Sequence, residues 1–353
     1  MNKKKIELLD SFFSSQPKRN LTMGCEFECY LWDFENKRLF NNEDILRELL
    51  DILPKEITRD YYPYQLEIRT KPHNNPEEVI KEFLSLLKLC DEEFTRHNIK
   101  IVPLSWMGGD FSEMFNGVHM HFRNGNNNHF ENTMFNVYPF VLAMTDCFKH
   151  SPHDFNNLSY RFANTQHCAC PNLNNMMSGH RYSDIAMNRH RENSRHRLKN
   201  VNTIEVRTFD VPYNMDYFSN LIKLMFHLFQ NINTKEKLML YDYEKVHTTI
   251  MKTRNEVKYM RIGYNYFFDM YNHEIYDYLC DKFKVEKEKV PFALIDSGGY
   301  DLSREKKSVQ KFLGEKEKKK WDKVLIKKRS IHRVVDYASM LDRTEDPESH
   351  QSE

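Results

Sequence analysis

The sequence predicts an α+β fold, a sheet with helices followed by a helical C-terminal region, and three observations predict it. First, Thr22–Leu31 alternates as a strand does, with Cys25, Phe27 and Cys29 on one face and Glu26 and Glu28 on the other. Second, the segments 62–70, 117–122 and 202–210 alternate in the same way. Third, from Met215 onward the apolar spacing becomes helical. Two carboxylates side by side on the first strand repel each other unless a positive object lies between them. Hard divalent cations such as Mg²⁺ and Mn²⁺ take carboxylate oxygens. For Glu-x-Glu alone a solvated sheet face is the simpler reading; the rest of the chain shifts that balance.

The chain of 353 residues can hold one large domain, or one domain with an appendage. A formal net charge of +1 supplies no global field toward nucleic acid or a membrane, and neither is expected as a partner. Hydrophobic residues at 40% and aromatics at 13% are those of a folded protein. No apolar run reaches membrane-spanning length, and Met1-Asn-Lys-Lys-Lys5 lacks a following apolar signal core. Seven scattered cysteines fit reduced thiols, so a cytoplasmic location is expected. Neither a P-loop nor a dinucleotide-binding glycine pattern occurs.

Taken in order, residues 2–18 read as a short helix ended by Pro17. The Glu26/Glu28 strand follows. Asn41 or Asn42 can cap a helix over Ile45–Leu53, which Pro54 ends. Tyr62–Thr70 is the second strand, with Leu66 and Ile68 apolar and Gln65, Glu67 and Arg69 polar. Pro76 opens an amphipathic helix to about His97, followed by a short strand from Ile99. In Gly117–Phe122, His119 and His121 point the same way, as ligands or phosphate-binding groups do, although surface histidines do so as well. An Asn/Gly loop then leads into an aromatic-rich helix through Phe148.

Residues 151–200 are polar and irregular. His167-Cys-Ala-Cys170 lacks the second Cys/His pair that structural zinc needs. The basic cluster Arg189–Arg197 precedes the strand 202–210 and could offer guanidinium groups to phosphates. On that strand Ile204 and Val206 face the core, while Glu205 and Arg207 share the other face. Helices are expected over Phe218–Phe229, Lys235–Lys258 and Phe267–Phe283. The Lys/Glu-rich segment 304–329 reads as a solvated helix with a narrow packed stripe. The expected division is a catalytic domain over 1–230, a helical region over 231–341 and a disordered tail over 342–353.

Glu26, Glu28, Glu67, His119, His121, Glu205, Arg207 and the nearby arginine cluster thus share the polar faces of four strands. Jointly they describe a concave sheet that binds two or more divalent ions through carboxylates and one imidazole, leaving Arg and His for phosphate oxygens. That inventory suits phosphoryl transfer.

The order of motifs resembles a known family. Glu-x-Glu, Gln-x-Glu, Gly-x-His-x-His, an Arg-rich stretch and Glu-x-Arg-x-x-Asp are similar to the catalytic domain of glutamine synthetase and glutamate–cysteine ligase, and most of all to the compact type 2 amidoligases (carboxylate–amine ligases). The resemblance covers roughly residues 20–215. It implies a curved antiparallel β-sheet with helices on its convex side. It implies Mg²⁺ or Mn²⁺ on Glu26, Glu28, Glu67, Glu205 and His119. It places ATP phosphates on His121 and an arginine among Arg189, Arg195 and Arg197, with Arg197 also in a catalytic role alongside Glu205. Arg207 would hold the substrate carboxylate or the transferring phosphate. Glutamine synthetase carries a further Glu before Gln-x-Glu; Asp60 is the nearest carboxylate here, at a different spacing, and ranks low as a ligand. The segment that supplies the ammonia site there is missing.

The expected activity is ATP-dependent amide formation between a small-molecule or peptide carboxylate and an amine, by a chain that could form a homo-oligomer. A phosphotransferase on the same scaffold and a non-catalytic nucleotide- or metal-binding module are the alternatives.

Overall fold

Strand β1, Leu21–Asp33, is the hub of the molecule, because four other strands pair with it. The computed structural model describes residues 1–103 apart from 2, 16, 18, 19, 34, 37 and 61, together with 116–124, 130–148, 185–188, 203–212, 215–235, 256–262 and 266–287. After helix α1 (Lys3–Asp10) and β1 come β2 (Arg38–Leu39), α2 (Glu43–Ile52), β3 (Ile57–Arg59), β4 (Gln65–Arg69), α3 (Pro76–Arg96) and β5 (Ile99–Val102). Then follow β6 (Val118–Asn124), α4 (Phe130–Cys147), β7 (Ile185–Asn188), β8 (Thr203–Phe209) and α5 (Met215–Asn231). The last described elements are β9 (Glu256–Ile262), β10 (Tyr266–Tyr271) and α6 (Asn272–Phe283).

Among the described residues the main sheet has eight strands, in the path β3-β4-β1-β6-β8-β7 with β2 and β5 also paired to β1, and β9 and β10 form a separate two-stranded sheet. Every described pairing is antiparallel. Cys25, Phe27 and Cys29 turn into the core, as the alternation requires. There Phe27 meets Phe83 of α3 at 4.9 Å and Phe218 of α5 at 5.6 Å between ring centroids. Phe122 of β6 stacks on Phe229 of α5 at 3.8 Å. Helices therefore cover the apolar face and leave the carboxylate face for the site. Among the described residues no helix is long and apolar enough to cross a membrane.

Capping follows the sequence. Asn42 Oδ1 accepts the N–H groups of Asp44 and Ile45, both at 3.2 Å, and Asn75 Oδ1 accepts that of Glu77 at 2.9 Å just ahead of Pro76.

Four expectations are corrected. The first helix stops at Asp10, because Phe12 and Phe13 leave it to pack, Phe13 bridging to Ile232. The second strand begins at Gln65, since Tyr62–Gln65 closes a turn of a hairpin with β3. The helix expected over Phe267–Phe283 is a strand to Tyr271 and a helix from Asn272. Likewise 256–258, expected to end a helix, begin β9: these aromatic and β-branched stretches satisfy their backbone groups by pairing with each other. The segments β2, β3 and β7 were not expected as strands. His167–Cys170, the segment 304–329 and the tail 342–353 lie outside the described residues.

Cys25 is a packing residue. It is 1% exposed, and burial, acting mostly against the charged form, pushes its thiol up to about 12. Cys25→Ala should cost about 1–2 kcal/mol of stability and leave turnover intact. Lost turnover at an unchanged melting temperature would instead make the thiol a participant.

Candidate active site

Register on the sheet decides which polar side chains meet. Glu26 on β1 stands opposite Arg69 of β4 and His119 of β6, and Glu28 stands opposite Glu67. On the next strand out, His121 is paired with Glu205 of β8. Because side chains alternate with period two, this register places all of them on the face away from the helices.

They gather in two groups. In the first, His119 Nδ1 lies 3.1 Å from Glu26 Oε2 and 3.7 Å from Glu205 Oε1. In the second are Glu28, Glu67 and Asp60. Within each group of three, one ligand atom per residue lies within 4.8 Å of the others. His119 links the groups, its Nε2 being 3.6 Å from Glu28 Oε1. Glu28 Oε2 accepts the Gly117 N–H at 2.6 Å, and Arg69 Nε sits 3.0 Å from Glu67 Oε1. Arg207 Nη1 donates to Glu205 Oε1 at 2.9 Å. His121 Nε2 is 3.2 Å from Glu26 Oε1, close enough for an ion pair but not aligned for a hydrogen bond.

This face is not a solvated one. Glu28 and Glu205 are each 4% exposed and His119 is 3% exposed. Buried carboxylates this dense disturb one another's ionisation. Burial, then the Glu26 charge, push Glu67 up to about 8, with Glu28 and Asp60 adding to the effect and Arg69 opposing it. Glu26 goes the other way: burial would raise it, but His119 and His121 hold it well below the usual carboxylate range. Glu205 is lowered too, because Arg207 and both histidines outweigh its burial. Burial opposes a charged His121, yet the Glu26 carboxylate beside it raises its pKa above the ordinary value. Around Glu67 the protein alone supplies too little positive charge.

Of the residues singled out from the sequence, Glu26, Glu28, Glu67, His119, His121, Glu205 and Arg207 come together on this face. Arg189, Arg195 and Arg197 lie outside the described residues. Asp60, ranked low from its spacing, is corrected: the structure places it in the second group. The β3–β4 hairpin, with Thr58 opposite Glu67, folds Asp60 back beside that residue, so its place depends on a turn rather than on distance along a strand. Gln65 and Gly117 stood inside the quoted motifs without a role assigned to them, and Asn116 was missed, its only signal being its position next to Gly117.

No family model matches the sequence, and no curated protein matches it. Solved structures do. One is the complex between the prokaryotic ubiquitin-like protein Pup and its ligase PafA, at 10% identity and TM-score 0.49, covering 76% of this chain and 58% of that one. A second is glutamate–cysteine ligase from Francisella tularensis in complex with AMP, at 13% identity and TM-score 0.49, covering 77% and 79%. A third is a bifunctional glutathione synthetase from Pasteurella multocida, at 12% identity and TM-score 0.44, covering 98% of this chain and 51% of that one. The chain therefore spans little more than half the length of the first and third. Each of the three is named as a ligase or synthetase.

Proposed function

We propose that the protein is an ATP-dependent carboxylate–amine ligase that joins an amino-acid- or peptide-like acid to an amine through an acyl phosphate. The observation that carries this reading is the pair of ligand groups on one sheet face, Glu26–His119–Glu205 and Glu28–Asp60–Glu67. The donor sets fit two hard cations. The second group is all carboxylate, as Mg²⁺ prefers, and the first adds one imidazole, which Mn²⁺ also accepts. Burial and the neighbouring carboxylates raise Glu67, and a cation bound between these groups would lower it again. Bound there, the metals would neutralise charge on the ATP phosphates and on the acid.

The chain's own residues do the rest. Arg207, bonded to Glu205 through Nη1, brings to this face a guanidinium of the geometry that holds a transferring phosphate or an acid's carboxylate. His121, biased by Glu26 toward its protonated form, would meet phosphate oxygens together with an arginine from Arg189, Arg195 and Arg197. In the reaction an oxygen of the acid attacks the γ-phosphorus and ADP leaves. The neutral amine then attacks the acyl carbon, phosphate leaves with that oxygen, and the amine loses a proton to a base.

The test is phosphate release from ATP and Mg²⁺ across a panel of acids and amines. Release that needs both an acid and an amine is the expected result. Release that needs only one acceptor, with a phosphorylated product accumulating, would make the protein a phosphotransferase.

A further inference from the structure

Gln65 is 3% exposed and lies on the site face of β4, two residues before Glu67. Both its backbone and its side chain reach the second ligand group. Its carbonyl accepts the Asp60 N–H at 3.0 Å, and its N–H donates to the Tyr62 carbonyl at 3.0 Å, so it closes the turn that folds Asp60 back. Its Nε2 donates to Asn116 Oδ1 at 2.8 Å. Asn116 is fully buried, and the next residue, Gly117, donates its N–H to Glu28 Oε2 and accepts the Glu28 N–H at 3.1 Å. The side chain therefore spans β1, from β4 on one side to the start of β6 on the other.

As a purely stabilising bridge Gln65 is a poor choice. Its Oε1 is buried with no hydrogen-bond partner among the described residues, a condition that costs stability. What the arrangement does achieve is geometric. Gly117 holds Glu28 Oε2 at 2.6 Å, and a Glu28 oxygen lies within 4.8 Å of ligand atoms of Asp60 and Glu67.

We infer that Gln65 is a positioning residue for the second metal group, fixing Asp60 through its backbone and Glu28 through Asn116 and Gly117. This rests on the ligase reading, which needs a cation at that group. Outer partners of metal ligands are worth about 10–100-fold in affinity.

The experiment follows Mn²⁺ binding by electron paramagnetic resonance without ATP, beside melting temperatures in EDTA. Gln65→Met keeps the length and removes the bond and the orphaned oxygen together, so metal-free stability should move little. Wild-type protein should bind two Mn²⁺ ions, and Gln65→Met should bind one of them about 10–100-fold more weakly. Asn116→Ala should give the same selective loss, and the double variant should be no worse than the worse single one. Unchanged affinity for both ions, additive losses, or equal weakening of both ions with a lower melting temperature would overturn the role of Gln65. If wild-type protein binds no pair of Mn²⁺ ions, the ligase reading itself fails; wild-type binding with unaffected variants removes Gln65 alone.

Discussion

Glu26→Gln, Glu67→Gln and Glu205→Gln are each expected to keep the fold and lose ATP turnover by about 100-fold or more. Each exchange replaces a charged oxygen ligand by a neutral one of nearly the same size, so the lost quantity is cation binding rather than packing. Losses of that order accompany removal of one well-placed electrostatic contact in an active site. Turnover near wild type in all three variants at low Mg²⁺ would remove the metal assignment.

Stability in EDTA gives the same variants an independent readout. Glu67 is raised from 4.5 to about 8 in the fold. Its contribution to metal-free stability is therefore full below pH 4.5 and lost as pH rises through about 8. Glu67→Gln should flatten that decline and, at pH 8, melt at a higher temperature than wild type. Saturating Mg²⁺ should reverse the order, because only the wild-type protein gains by binding.

The second large effect concerns where an oxygen atom goes. An acid substrate labelled with ¹⁸O in its carboxylate should transfer one label per turnover to inorganic phosphate, with ADP as the coproduct. The oxygen that attacks the γ-phosphorus is the one that leaves when the amine displaces phosphate. An adenylating enzyme would put the label in AMP instead. A phosphotransferase would keep it in a phosphorylated product that forms without an amine. Label in AMP would end the acyl-phosphate mechanism but leave the two ligand groups in place.

The strand face was legible in the sequence because period-two alternation is strict: Glu26, Glu28, Glu67 and Glu205 share a face whatever the strand order is. Which of them share a cation was not legible, since that depends on register across β4, β1, β6 and β8. Asp60 shows the limit most clearly. Its distance from Glu67 along the chain says nothing until the Tyr62–Gln65 turn is known to fold it back. Segments 256–262 and 266–271 were misread for a related reason. Short aromatic runs fit either period, and only pairing with a partner strand decides between them. The burial of the carboxylate face was unexpected as well, because alternation alone predicts a wet outer surface.

Helix α6 ties the far end of the described chain to its beginning. Tyr278 and Lys282 both bond Asp10 Oδ1 at 2.6 Å, Lys5 pairs with Glu274 at 3.1 Å, and Phe13 packs against Phe283 at 5.7 Å. Ile275 and Leu279 are fully buried in the same core as Leu9 and Phe12. These contacts join residues more than 260 positions apart, so this part of the core closes only when both segments are present. Assembly is governed by that long-range closure and should be slow, and an incomplete nascent chain is a natural client for a chaperone.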